Sequence, residues 1–193
     1  NEVELYFFLA KACFANNKYD SALYYAELVL TFDATNIDML AITGFVYSTI
    51  KKAYLKSISI FELLINLTPN IIEFHLELAK SYYDNLESDT AILILENAKN
   101  IRLNSNEDIP KFVFLYRFLA ELYGKKKIYD KILENYEYIL FTFPEFVDAH
   151  ILNFVGYSYL EKNINLDTAF ILIKEALKLE PNNPFYLDSL AWY

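Results

Sequence analysis

The sequence predicts an all-α fold of about five and a half helix-turn-helix repeats. Three observations lead there: a scarcity of turn formers, a recurring small-to-bulky pair at a near-constant interval, and a second helical register after each pair. The chain of 193 residues is 55% hydrophobic with only 3 Gly and 5 Pro, too few turn formers for a protein of many short strands. Small residues followed three positions later by a bulkier one recur as Ala10/Cys13, Gly44/Tyr47, Ala79/Tyr82, Ala120/Tyr123 and Gly156/Tyr159, and Ala191 begins a sixth. The intervals between the small residues are 34, 35, 41, 36 and 35. They lie near the ~34-residue period of a helix-turn-helix repeat.

Each element follows from these registers. First helices are predicted over 2–16, 37–50, 71–84, 110–124, 146–162 and 184–193, each carrying one small-to-bulky pair. Partner helices are predicted over 20–33, 54–67, 88–101, 128–142 and 166–179. They rest on Tyr19/Ala22/Ala26/Val29, Tyr54/Ser57/Phe61/Leu64, Ser88/Ala91/Leu95/Ala98, Tyr129/Ile132/Tyr136/Ile139 and Leu166/Ala169/Ile173/Ala176. Spacings of three and four keep such residues on one helical face. Pro69, Pro144 and Pro181 mark the turn after a partner helix, with Ala34 and Leu103 at the matching places where proline is absent. The 41-residue interval places extra residues between Leu103 and Ile109, in the polar run Asn104, Ser105, Asn106, Glu107, Asp108, read as a lengthened surface loop. Pro110 then opens a helix, since its missing N–H costs nothing in the first turn.

The small residues let backbones approach while the aromatics fill the hole between them. One helix pair cannot bury its own apolar face, so neighbours must stack.

This pattern resembles the tetratricopeptide repeat (TPR) over nearly the whole chain. The run GYSYLEKNINLDTAFILIKEALKLEPNNP followed by FYLDSLAW is similar to the terminal repeats of bacterial TPR proteins, many of them envelope-associated or lipoproteins. The resemblance implies a right-handed α-α superhelix, one solenoid over 1–193. Its repeats span about 3–36, 37–71, 72–105, 113–146 and 149–183, with a partial repeat at 184–193. Cys13, Ile132 and Leu103 depart from the family pattern, standing where an aromatic, a small residue and a proline are usual. Trp192 and Tyr193 read as the start of a sixth repeat, so the chain is expected to be a fragment. Its last helix should leave an apolar side uncovered that could support self-association. A periplasmic or envelope location is the expectation that goes with the resemblance.

Charge and chemistry narrow the function. A formal net charge of −9 and no basic cluster beyond Lys125, Lys126 and Lys127 argue against nucleic acid. Arg117 and Glu121 interrupt one apolar run, and Lys174 and Glu175 end another, so neither reaches the roughly 18 residues of a membrane span. A single cysteine, Cys13, excludes an internal disulfide framework and reads as a buried thiol acting as a small hydrophobe. The two histidines, His75 and His150, lie in different repeats, outside any HExxH or CxxC arrangement. His75 reads as a packed histidine and His150 as a surface residue. Gly124 with Lys125 does not make a phosphate loop. The reading is a protein without catalytic residues, metal or cofactor that binds a protein or peptide.

In the family the first helices line a concave surface, at six and three before and one and four after each small residue. Carried over, the implied partner-binding residues are Phe7, Lys11, Phe14, Phe45, Leu76, Lys80, Tyr83, Phe114, Arg117, His150, Asn153 and Tyr157. Gly124 stands at one of the same positions. Phe7, Ala41, Phe45 and Glu73 occupy the part of the groove where chaperone-cofactor members hold a carboxylate with basic and amide side chains, so that clamp is missing. Aromatic anchors suit an apolar peptide or amphipathic helix, with Lys11, Lys80 and Arg117 available to orient acidic partners. The alternative is a regulatory or structural segment of a larger enzyme or envelope-anchored protein.

Overall fold

A computed structural model describes residues 2–103 and 105–193, and Asn104, part of the polar run above, lies outside them. Eleven α-helices follow one another and no strand occurs among the described residues. They are α1 (Glu2–Ala15), α2 (Tyr19–Phe32), α3 (Ile37–Phe45), α4 (Tyr54–Leu67), α5 (Ile72–Asp84), α6 (Ser88–Ala98), α7 (Ile109–Lys125), α8 (Tyr129–Thr142), α9 (Ala149–Glu161), α10 (Leu166–Leu179) and α11 (Pro184–Ala191). The chain divides into two compact units, 1–104 and 105–193, and the boundary falls in the lengthened connection. The first holds α1 to α6 and the second α7 to α11. In each unit every helix packs on the next, α1 also touches α3, and α9 touches α11, which sets first helices side by side.

Two boundaries differ from expectation for local reasons. The helix expected from 146 begins at Ala149, because Pro144–Phe146 closes as a 3-10 turn and Asp148 caps the helix, its carboxylate accepting the Ile151 N–H at 2.9 Å. Asn36 and Asn183 cap α3 and α11 in the same way, accepting from the Met39 and Phe185 N–H groups. The partner helix expected over 88–101 ends at Ala98.

The turns inside each pair share a device. One residue takes a left-handed conformation seven positions after the small residue: Asn17, Leu86, Lys127 and Asn163. The second and fifth repeats carry one extra residue and absorb it differently. After α3 the chain winds a π-helical turn over Val46–Ile50, the Lys51 N–H reaching back to the Val46 carbonyl at 2.9 Å, and the left-handed residue shifts to Lys52. In the fifth repeat the extra residue follows the turn, where Asn165 is left-handed as well.

The small residues sit where helices touch. A methyl group on Gly156 would lie 2.9 Å from the Ala169 carbonyl oxygen and 2.8 Å from Ile173. Gly44 meets the Phe61 ring as closely, at 3.0 Å. In the first unit Ala10, Ala22, Ala26, Val29, Met39, Ile42 and Val46 form one core cluster, and Leu40, Ile58, Phe61, Leu64 and Leu78 another. In the second, Ala149, Ala176 and Tyr186 cluster, and Leu115, Leu119, Leu122, Ile139, Ile151 and Ile173 are fully enclosed. Cys13 is half-buried rather than buried, packing at the edge of the first cluster because it is too short to cross the gap an aromatic would fill.

A polar latch ties successive repeats within each unit. In three of the small-to-bulky pairs the bulky residue is a tyrosine that donates its hydroxyl to a glutamate on the preceding partner helix: Tyr47 to Glu27 at 2.6 Å, Tyr82 to Glu62 at 2.7 Å and Tyr159 to Glu137 at 2.7 Å. The ring fills the gap between helices while its edge reaches a carboxylate at the rim.

Candidate functional site

In the first unit, α1 and α3 bring Phe7, Lys11, Phe14 and Phe45 into one neighbourhood. Phe14 meets Phe45 edge-on at 5.3 Å and Tyr19 at 5.8 Å, so these three rings pack on one another and Phe45 is half-buried. Lys11 lies over the Phe7 ring at 5.2 Å and pairs with Asp38 of α3 at 2.7 Å. Beside them a pocket of about 350 Å³ is lined by Lys11, Phe14, Ala15, Asp38, Ala41 and Ile42. On α5, Leu76 is buried while Lys80 and Tyr83 are half-buried. Leu76 therefore offers little surface to a ligand. His75 is half-buried as expected, its ring 2.9 Å from the Pro69 carbonyl oxygen.

In the second unit Phe114 of α7 is 52% exposed, its ring 5.9 Å from Phe118. Arg117, one turn on, is occupied: it donates to Asp148 at 2.8 Å and to the Phe146 carbonyl at 2.8 Å. Burial alone would raise the Asp148 carboxyl, but the Ile151 N–H and Arg117 together hold it below the usual carboxylate range. Lys11 and Arg117, expected to orient an acidic partner, thus each tie a first helix to the next through an aspartate. His150 is exposed and edge-on to Tyr136 at 5.7 Å. Asn153 is half-buried, with its side-chain oxygen enclosed and accepting no hydrogen bond. Tyr157 lies edge-on to Trp192 at 6.5 Å. Burial, followed by the carboxylates of Glu161 and Asp188, pushes its hydroxyl above the ordinary tyrosine value.

A second pocket of about 350 Å³ opens here between Tyr129, Phe154, Tyr157, Ser158 and Glu161. Of these only Tyr157 stands among the residues expected from the sequence. The other four lie off the four carried-over offsets; the signal that points to them is Gly124, in the position that Phe14 holds in the first repeat.

No group of His, Cys, Asp and Glu among the described residues is placed to hold a metal ion, and no helix is long and apolar enough to cross a membrane. What the site offers is aromatic surface on neighbouring first helices, rimmed by fixed ion pairs.

No protein-family model and no curated protein matches the sequence. Solved structures do. MamA aligns with a TM-score of 0.70 at 22% identity, over 93% of this chain and 92% of its own. YrrB, described as a TPR protein with an unusual peptide-binding site, aligns at 0.66 and 17% identity over 95% and 89%. TTC0263, a thermophilic TPR protein of Thermus thermophilus, aligns at 0.55 and 16% over 98% of both chains. With small residues at the helix contacts, first helices side by side and these alignments along nearly the full length, the chain has the tetratricopeptide-repeat fold.

Proposed function

We propose that this chain is a non-catalytic scaffold that binds a peptide or protein segment on the faces of its first helices. The observation that carries the reading is the aromatic surface there: the half-buried rings of Phe7 and Phe14 with the adjoining pocket in the first unit, and exposed Phe114 with half-buried Tyr157 in the second. Aromatic rings on rigid helices lose little conformational freedom on binding and supply most of the anchoring energy in interfaces of this kind. YrrB, with the same fold, is described as having a peptide-binding site, which supports the reading by analogy of fold.

The test is a selection of peptides from a random library on the intact chain, followed by affinity measurements on Phe114→Ala. Because Phe114 is half exposed and packs mainly on Phe118, its loss should leave melting nearly unchanged. A peptide anchored on it should lose about 2 kcal/mol or more of affinity, roughly thirtyfold. Failure to select any peptide, or selected peptides that compete with none of the first-helix residues, would sink the reading.

A further inference from the structure

The pocket of the second unit opens between residues whose counterparts in the first unit flank an aromatic that is missing here, and its surroundings have changed with that loss. In the first unit the equivalent place is closed: Phe14, Tyr19 and Phe45 pack with ring centroids 5.3 to 6.4 Å apart. By the repeat register Tyr129 stands for Tyr19 and Tyr157 for Phe45, but Gly124 stands for Phe14, so one ring of the three is gone. A side chain begun at Gly124 would meet only Ile132, at 3.8 Å, so its first carbon has room. About 350 Å³ is left between the remaining rings.

The residues around the slot have also become polar and acidic. Ile42, Val46 and Thr49 of the first unit correspond to Phe154, Ser158 and Glu161. Three rings, the hydroxyls of Tyr129, Tyr157 and Ser158, and a carboxylate therefore surround the opening. Glu161 accepts the Tyr157 hydroxyl but is in no ion pair among the described residues, and Lys162 beside it pairs with Asp130. Asp188 adds a second negative charge near Tyr157. Aromatic faces together with a carboxylate held by a neutral hydroxyl, its charge intact, attract an organic cation, which rings alone would hold weakly in water. A neutral apolar ligand gains nothing from Glu161, and an anion is repelled by it.

We propose that this slot receives the cationic side chain of a partner peptide, a guanidinium or ammonium group seated against Tyr129, Phe154 and Tyr157 with Glu161 as its counter-charge. The peptide as its source rests on the scaffold reading above; the affinity of the slot for a cation does not.

The chain reports on the slot through its one tryptophan, Trp192, which lies edge-on to Tyr157. The intact chain is titrated with choline and with arginine amide, and in parallel with their neutral isosteres 3,3-dimethylbutan-1-ol and citrulline amide, following the Trp192 indole N–H resonance. Saturable shifts with the cations and not with the isosteres are expected. Glu161→Gln should weaken the cation about tenfold, and Gly124→Phe, which restores the ring of the first repeat, should abolish binding without lowering the melting temperature. If Gly124→Phe does not fold, Glu161→Gln and the isosteres still decide. Equal shifts with the isosteres, no saturable shift at all, or unchanged cation affinity in Glu161→Gln would overturn the proposal. A selected peptide that binds the native chain, Glu161→Gln and Gly124→Phe equally well would overturn the slot and leave the groove reading standing. Cation binding with no peptide selected would do the reverse.

Discussion

Leu86 shows how single residues carry the cost of this fold. It is 92% exposed and holds a left-handed backbone, a conformation in which its Cβ crowds the following carbonyl. Glycine would adopt that turn without strain, though it gives up more freedom on folding. Leu86→Gly is therefore expected to stabilise by roughly 0.5 kcal/mol net, read as a higher urea midpoint with an unchanged slope. The tyrosine latches act at the same scale and with the opposite sign. Tyr82→Phe keeps the ring in place but leaves Glu62 without the hydroxyl it accepts, and should cost about 1 kcal/mol. A melting temperature equal to the native value would show that water replaces the hydroxyl without loss.

Between helices, close approach decides what a position tolerates. Ala169 is fully buried, its carbonyl oxygen 2.9 Å from where a Gly156 side chain would begin, so α9 and α10 have no room for a larger residue. Ala169→Leu should cost on the order of 1–3 kcal/mol by overpacking, measured by chemical unfolding. Phe45 and Phe114 separate packing from recognition, although both stand at concave-face offsets, one after Gly44 and six before Ala120. Phe45 is wedged against Phe14 and Tyr19. Phe45→Ala should lower stability by about 2 kcal/mol, whereas Phe114→Ala should change it by less than about 0.5 kcal/mol. Thermal melts of the two variants side by side check this; equal losses would mean that both rings belong to the core. The π-helical turn after α3 belongs to this scale too, since it lets a repeat with one extra residue keep Gly44 opposite Phe61.

Across the whole molecule the latches add up to a pH dependence. Burial and carboxylate partners raise the tyrosine hydroxyls, Tyr47 and Tyr82 to about 12, with the hydrogen bond to Glu27 or Glu62 as the largest cause and burial next, and Tyr159 further still, chiefly by burial. In the unfolded chain these groups lose their protons near pH 10. Their contribution is thus complete below pH 10 and is lost as pH rises through about 12, because the unfolded state gives up protons first. Unfolding midpoints measured from pH 8 to pH 12 should fall more steeply for the native chain than for a Tyr47→Phe, Tyr82→Phe, Tyr159→Phe variant. Parallel curves would refute a role for the latches in alkaline stability. Much of this architecture was legible beforehand. A near-34-residue spacing of small and bulky residues is a direct imprint of helices that must touch at regular places, so ten of the eleven helices begin within a residue or so of where the registers put them, and the exception, α9, starts later because Asp148 can cap it only from there. What the spacing cannot carry is whether a ring points outward or inward, because that depends on what the neighbouring repeat supplies. Phe14 closes a slot and Gly124 opens the equivalent one; Lys11 and Arg117 look free along the chain yet find Asp38 and Asp148 one repeat away. The sequence by itself determined the helices, their order and the packing residues, since these follow from local periodicity and side-chain volume. Only the tertiary structure decided which aromatics and charges remain available to a partner, since availability is set by contacts between residues some thirty positions apart.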